Sequence, residues 1–264
     1  MLHQALDGRS GTAAGEALPI DEAPAEGLSL VSICKSYRKH RVLDELSLSV
    51  RPGEVVGLLG PDGAGKSTCF HTIIGLIKPD SGRVVLDGLD VTGLPTYLRA
   101  RLGLGYLPQE ASVFRGLTVE QNVRAALELS EANGRARAVK LEKLLADFHL
   151  DELRGRRANL LSGGERRRCE IVRALASDPS IMLLDEPFAG IDPITISEIE
   201  RLVVELKIRG VGVLITDYNL HEIMHLIDRG YVIADGRMVF EGTAPELAAN
   251  PTVRRLYLGK DFEL

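Results

Sequence analysis

A glycine-rich stretch limits the folds open to this 264-residue chain more than any other segment does. It reads Gly60-Pro61-Asp62-Gly63-Ala64-Gly65-Lys66-Ser67. An apolar run that predicts a buried strand, Val55–Leu59, precedes it, and a predicted helix, Lys66–Ile74, follows it. Strand, loop and helix in this order match the Walker A pattern, in which backbone N–H groups face phosphate oxygens. We therefore predict a phosphate-binding loop, the alternative being a fortuitous glycine-rich turn.

The residues at the end of this loop predict the ligands. Lys66 would place a cation on the β- and γ-phosphates of ATP, and Ser67 would offer its hydroxyl to Mg²⁺. We also include the neighbouring Thr68 among the nucleotide-binding residues. ATP and Mg²⁺ are therefore the predicted substrate and cofactor.

A second pattern supplies two acids after a buried strand. Ile181–Leu184 is apolar, and Asp185 and Glu186 follow it, as in a Walker B motif. Successive strand residues point to opposite faces, so the two carboxylates can act differently. Asp185 can reach the Mg²⁺ shell, whereas Glu186 can orient or deprotonate the attacking water. Alone, such a pair more often forms a solvated loop, but the phosphate-binding loop favours the catalytic interpretation.

A third pattern opens a predicted helix shortly before the two acids. It reads Leu161-Ser162-Gly163-Gly164-Glu165. Helix N-termini bind anions, yet a nucleotide has one terminal phosphate, so a second site on one chain needs an explanation. The segment resembles the signature of the ABC (ATP-binding cassette) ATPases, whose two subunits pack head to tail. The resemblance implies a homodimer in which Ser162, Gly163 and Gly164 contact the ATP of the other subunit.

Further positions match motifs of the same family. Tyr37 stands where an aromatic ring stacks on adenine, with a buried strand tyrosine as the alternative. Gln109 matches the Q-loop glutamine, which implies roles in catalysis, Mg²⁺ binding and sensing of the membrane partner. Asp192 matches the D-loop aspartate at the dimer interface. The arginines at 166–168 are predicted to form a solvated helix face.

The alternation of strands and helices predicts the fold class. We expect an α/β P-loop NTPase (RecA-like) core with a parallel sheet, an antiparallel β lobe and an inserted helical subdomain that carries the signature. Residues 1–27 lack an apolar period and are predicted to form a disordered extension. The ATPase domain is then 28–264, with the helical subdomain at about 111–164.

Composition narrows the partners and the location. The net charge of -5 and the isoelectric point near 5.8 argue against general nucleic-acid binding. We find no apolar run near the ~18 residues that cross a bilayer, and no signal-peptide pattern. By resemblance, the chain is expected in the cytoplasm, attached to the cytoplasmic face of the inner membrane through two integral membrane subunits.

Several stretches resemble one branch of the family, the cytoplasmic ATPases of lipopolysaccharide export (Lpt). These are Tyr106–Phe114, Leu161–Arg168, Leu184–Pro193 and Tyr257–Phe262. The last is informative because nucleotide chemistry does not require it. Phe114 and Arg115 are our candidates to line the groove for a membrane subunit, with a core role as the alternative for Phe114. The ATPases of branched-chain amino-acid importers are the other transporter hypothesis.

The chain departs from the family at two positions. Tyr218 stands where a histidine normally contacts the γ-phosphate, and His221 lies in a helix predicted to be capped by Asn219 and Glu222. Tyrosine is a poor base at neutral pH, so a third hypothesis is a nucleotide-gated scaffold that barely hydrolyses ATP. Asp62 replaces the usual asparagine and is expected to face solvent or cap the loop.

Overall fold

The computed structural model of the protein describes residues 26–259. The predicted extension, 1–27, lies outside the described residues except for its last two, as do residues 260–262 of the tail. The strands are β1 Leu28–Tyr37, β2 His40–Val50, β3 Val55–Leu59, β4 Ser81–Leu86, β5 Leu89–Asp90, β6 Leu104–Leu107, β7 Ile181–Asp185, β8 Gly212–Thr216, β9 Arg229–Ala234 and β10 Arg237–Gly242. The helices are α1 Lys66–Ile74, α2 Thr96–Arg101, α3 Val119–Ser130, α4 Gly134–Asp147, α5 Gly163–Leu175, α6 Pro193–Ile208, α7 Leu220–Leu226, α8 Ala244–Ala249 and α9 Pro251–Val253.

A six-stranded sheet forms the centre of the fold, in the order β10-β9-β3-β8-β7-β6. Neighbouring strands are parallel except at one edge, where β10 runs antiparallel to β9. Strands β3, β7 and β8 are buried at every position, as expected for parallel strands covered on both faces. The predicted α/β class with a parallel core is confirmed. Because β3, β8 and β7 are adjacent, the loops after their carboxyl ends meet at one edge of the sheet.

A second, antiparallel sheet has the order β2-β1-β4-β5, as predicted for the β lobe. Its inner face shares one hydrophobic core with α1 and with one face of the parallel sheet. Phe70 and Ile73 of α1 are fully buried in that core. The helix that follows the glycine-rich loop is therefore fixed between two sheets, which gives the loop a rigid base.

The segment between β6 and β7 is helical. A capping box begins α3, since Thr118 and Gln121 each accept from the backbone N–H of the other. Leu144 and Leu145 of α4 and Phe148 just beyond it form a buried apolar stripe. The signature pattern begins α5, so this helix links the segment to the core. None of the helices between residues 26 and 259 has the length and apolar character needed to cross a bilayer.

A buried arginine supports the far end of α1. Arg99 is almost completely buried, and its guanidinium donates to the carbonyls of Thr72 and Ile73 at 2.8 and 2.6 Å. Further bonds reach the carbonyls of Leu94 and Thr92 at 2.9 Å each. The last carbonyls of a helix have no partner within it, so a cation at this end satisfies them and complements the helix dipole.

Candidate nucleotide-binding site

The glycine-rich loop joins β3 to α1 and leaves the start of α1 without a side-chain cap. Gly65 occupies the capping position in the left-handed region at φ 108°, and the first turn of the helix contains no acid. The Lys66 ammonium lies over the loop and donates to the carbonyls of Gly60 and Pro61 at 2.6 and 3.0 Å. Free helix N–H groups beside a lysine are the donor set that a polyphosphate requires, so the residues present fit the predicted ligand.

Two glycines of the loop are required by packing as well as by backbone conformation. A Cβ on Gly60 would lie 2.1 Å from the carbonyl oxygen of Ile233, and one on Gly65 would lie 2.7 Å from that of Val42. Both have positive φ. Asp62 is exposed, as expected for a residue that faces solvent.

Asp185 is the last residue of β7, and Glu186, which follows it, contacts the Q-loop glutamine. Glu186 lies just beyond the strand with φ 45°, and its Oε2 accepts from Nε2 of Gln109 at 2.6 Å. Asp185 is buried at the strand end and accepts from the Tyr106 hydroxyl at 3.2 Å. Parallel pairing of β6 with β7 brings together residues that are 77 positions apart in sequence. The sequence placed Gln109 and Glu186 in one site, and the structure brings them into contact.

Burial sets the electrostatics of this cluster. It raises the pKa of Asp185, and it raises the pKa of Glu186 with further contributions from the charges of Asp185 and Asp217. Burial also lowers the pKa of the Lys66 ammonium, although Asp62, Glu186 and Asp185 act in the opposite direction. The charged forms of this ammonium and these carboxylates are thus disfavoured by partial loss of hydration, which is typical of functional sites.

The predicted solvated face at 166–168 is wrong for Arg167, which is 5% exposed. Its guanidinium donates to the carbonyls of Pro108 at 2.7 Å, Asp185 at 3.1 Å and Glu186 at 3.2 Å. Arg168 is also mostly buried and forms an ion pair with Glu198 at 2.8 Å. Helix α5 is therefore hydrogen-bonded, through Arg167, to both the Q-loop and the carboxyl end of β7. Sequence reasoning missed Arg167, although its position four residues before buried Ile171 was an available signal.

Two more residues of α5 hold the segment after the Q-loop. Buried Glu170 accepts from the backbone N–H groups of Ser112 and Val113 at 2.6 and 3.3 Å. Arg173 donates to the Ser112 hydroxyl at 2.6 Å and lies 5.3 Å from the centre of the Phe114 ring. Phe114 is 54% exposed, so the alternative of a core residue is wrong. An exposed ring is thereby held next to the Q-loop.

The signature residues have distinct environments. Ser162 and Glu165 form a capping box, in which the Ser162 hydroxyl accepts from Glu165 N–H at 3.2 Å. Ser162 and Gly163 are exposed, and a Cβ on Gly163 would meet no atom within 4 Å. Gly164 packs against Thr195, where a Cβ would lie 2.4 Å from Cγ2. Asp192 in turn accepts from the Thr195 N–H at 3.1 Å, which joins the D-loop to the signature.

The loop after β8 carries the residue that replaces the family histidine. Tyr218 is 63% exposed, whereas the preceding Asp217 is fully buried. The Asp217 carboxylate accepts from the N–H groups of Phe188 at 2.8 Å and Asn219 at 3.0 Å. Asn219 does precede α7, but its side chain makes no capping bond, so that detail of the prediction is wrong. The Asp217 carboxylate therefore holds this loop next to the segment that follows β7. Sequence reasoning assigned no role to Asp217.

Tyr37 lies at the end of β1 and is 46% exposed. The alternative of a buried strand tyrosine is therefore wrong. The ammonium of Lys35 lies 5.7 Å from the centre of its ring, so one part of the aromatic surface already faces a cation. Adenine stacking on Tyr37 stays a prediction.

Comparison with known proteins decides the family. A sequence profile described as ABC transporter matches residues 43–189. An uncharacterized ABC transporter ATP-binding protein of Rhizobium meliloti is 54% identical over 100% of this chain and 98% of its own. The chain belongs to the ABC transporter ATP-binding family. It is an ATPase whose hydrolysis of ATP is coupled to transport.

Two other ABC proteins bear on the function. The lipopolysaccharide export system ATP-binding protein LptB of Acidithiobacillus ferridurans is 49% identical over 91% of this chain and 100% of its own. A solved ABC cassette, MJ0796, is 27% identical with a TM-score of 0.73, over 82% of this chain and 98% of that one. That cassette is described as a dimer in a post-hydrolysis state bound to ADP and Pi. The likeness confirms the ABC cassette fold predicted from the signature.

Proposed function

We propose that the protein is the ATPase subunit of a lipopolysaccharide export transporter. The observation that carries this proposal is the 49% identity with an export-system LptB over nearly the whole of both chains. The exposed ring of Phe114 near the Q-loop supports the proposal. A membrane subunit needs an accessible apolar side chain to bind close to Gln109, which contacts Glu186. Phe114 and Arg115 would line that groove.

Each residue of the site has its own proposed role in ATP binding or hydrolysis. The backbone N–H groups of residues 63–68 and the Lys66 ammonium would hold the phosphates, and Tyr37 would stack on adenine. Ser67, Gln109 and Asp185 would hold Mg²⁺, which when bound neutralises phosphate charge. Glu186 would orient and deprotonate the attacking water, and its raised pKa makes it a better proton acceptor.

A second copy of the chain would complete the site. In the proposed head-to-tail homodimer, the exposed Ser162 and Gly163, with Gly164, would contact the ATP bound to the partner, and Asp192 would lie at the interface. The dimeric state described for the MJ0796 cassette supports this arrangement. Binding of ATP would join the subunits and hydrolysis would release them, which moves the membrane partners.

Co-purification from membranes of the source cell tests the transporter assignment. We expect the tagged full chain to retain two integral membrane subunits of the lipopolysaccharide export type, and a Phe114→Asp variant to lose them while still binding ATP. Retention of amino-acid importer permeases, or of no membrane protein, would contradict the proposal. An exposed apolar residue elsewhere, Leu129 on α3, offers the control Leu129→Asp, which is expected to keep the membrane subunits.

Tyr218 favours a second candidate, a cassette that binds ATP but hydrolyses it slowly. The phenol could donate one hydrogen bond to a phosphate but could not accept a proton readily at neutral pH. We predict that Tyr218→His raises the kcat of ATP hydrolysis at least about tenfold, with unchanged affinity for ATP.

Steady-state phosphate release measured with the full chain checks this prediction. Tyr97 of α2 is similarly exposed, so Tyr97→His serves as the matched control and is expected to leave kcat unchanged. An unchanged rate in Tyr218→His would show that position 218 does not limit turnover.

A further inference from the structure

The C-terminal segment returns to the nucleotide site through an unusual turn. Residues Arg254–Leu258 form a π-helical turn, closed by a bond of 2.8 Å from the Gly259 N–H to the Arg254 carbonyl. Such turns are rare and occur often at functional sites, because the extra residue changes which side chains face the core. Tyr257 lies in this turn, and its partly buried ring packs against the main hydrophobic core.

The hydroxyl of Tyr257 contacts both loops that flank the site. It donates to the backbone carbonyl of Asp217 at 3.3 Å, and the backbone N–H of Gly60 lies near the same oxygen. Burial raises the pKa of Tyr257 to about 12, and the nearby N–H of Gly60 acts in the opposite direction. The hydroxyl therefore keeps its proton at neutral pH and can serve as donor and acceptor at once.

Each neighbour of this hydroxyl is itself bonded to a functional group. The Gly60 carbonyl accepts from the Lys66 ammonium at 2.6 Å, so residue Gly60 lies between Tyr257 and the phosphate-binding lysine. On the other side, Asp217 directly precedes Tyr218, and its carboxylate holds the Phe188 N–H at 2.8 Å. The hydroxyl thus bonds to the base of the loop that carries Tyr218 and lies beside the first residue of the phosphate loop.

We infer that Tyr257 is a positioning residue for ATP hydrolysis, which fixes the loop at 217–219 relative to the phosphate-binding loop. The phosphate donors in 63–67 and Lys66 do not bond to Tyr257, so nucleotide affinity is expected to depend on it little. The position of Tyr218 relative to the phosphate loop depends on it directly, so turnover is the sensitive quantity. The inference rests on ATP hydrolysis at the proposed site.

Tyr257→Phe removes the hydroxyl and keeps the ring. We expect kcat to fall about tenfold, because the buried Asp217 carbonyl loses its hydrogen-bond donor and the loop that carries Tyr218 is held less firmly. The dissociation constant for ATP is expected to stay within about twofold of the wild-type value, so the loss appears in kcat rather than in binding. Phosphate release and calorimetric titration of the full chain with Mg·ATP measure the two quantities.

Tyr231 offers a matched control. It is a buried tyrosine of β9 whose hydroxyl accepts from the Ser49 N–H at 3.1 Å, a bond that joins strands rather than the two loops. Tyr231→Phe also deletes one buried hydroxyl, but we expect wild-type kcat. An unchanged kcat in Tyr257→Phe, or an equal loss of kcat in both variants, would overturn the positioning role.

Hydrogen exchange without nucleotide separates this inference from the proposed function. In Tyr257→Phe, we expect faster exchange at the N–H groups of residues 218–220, with unchanged exchange in α4. If the wild-type chain shows no ATPase activity, the proposed function fails, whereas faster exchange still supports the contact. Identical exchange of these N–H groups in wild type and Tyr257→Phe would overturn the inference on its own.

Discussion

Glu186→Gln is expected to lower the kcat of ATP hydrolysis by about 10²–10⁴-fold, because the amide cannot accept a proton from the attacking water. Glutamine has the same shape, and its side-chain oxygen can keep the 2.6 Å bond from Gln109. Affinity for ATP should therefore be retained, and the loss should fall on kcat. Single-turnover phosphate release, with ATP binding followed separately, measures both quantities.

The same substitution should stabilise the fold without nucleotide. Burial, together with the charges of Asp185 and Asp217, raises the pKa of Glu186, so its ionisation opposes folding. Removing the charge should increase the free energy of unfolding and raise Tm at neutral pH. The folded chain binds the Glu186 proton more tightly than the unfolded chain does, so this carboxylate destabilises the fold increasingly as pH rises above its ordinary pKa. The gain in Tm should consequently be larger at pH 7.5 than at pH 5.

An exposed glutamate supplies the control for both effects. Glu128 lies on the solvent side of α3, and Glu128→Gln is expected to change neither kcat nor the pH dependence of Tm. Wild-type turnover in Glu186→Gln would show that this carboxylate does not accept the proton. A Tm gain that did not depend on pH would show that charge burial is not its cause.

Lys66→Ala is expected to weaken ATP binding by about 10²-fold or more, because a phosphate would lose charge-assisted hydrogen bonds from the ammonium. Among residues 26–259, the hydrogen bonds of this ammonium are those to the carbonyls of Gly60 and Pro61 within the same loop. Its loss should therefore change the free energy of unfolding by no more than about 1 kcal/mol. Fluorescence titration with a labelled ATP and thermal unfolding distinguish these two effects.

The matched control is an exposed lysine beyond the end of α1. Lys78→Ala removes one positive charge near the same helix and should leave the affinity for ATP unchanged. Equal affinities in wild type and Lys66→Ala would contradict the assigned phosphate contact. A large loss of stability in Lys66→Ala would instead assign the lysine a structural role.

The parts of the site that depend on local sequence were predictable. The strand Val55–Leu59 and the helix Lys66–Ile74 have the predicted bounds, since an apolar run, glycines and a helical pattern suffice to specify them. The meeting of Gln109 with Glu186 followed from family resemblance, because no local pattern relates residues 77 positions apart. The parallel pairing of β6 with β7, which brings Gln109 and Glu186 together, depends on contacts between residues far apart in sequence.

Arg167, Asp217 and Tyr257 show what sequence reasoning could not reach. Three consecutive arginines are typical of a solvated face. The carbonyls that bind Arg167 lie at the carboxyl ends of two strands that are far apart in sequence. Asp217 bonds to backbone N–H groups, which every residue except proline has and which no sequence motif reveals. Tyr257 reaches the site through a π-helical turn, which no spacing in the sequence predicts.

Light scattering of Glu186→Gln with saturating ATP and Mg²⁺ tests most directly whether two chains enclose the nucleotide. Because hydrolysis is blocked while binding is kept, the predicted mass is twice the 28.7 kDa of one chain, and omission of ATP should return the single-chain mass. A single-chain mass at saturating ATP, with binding confirmed in the same sample, would contradict the proposed dimer.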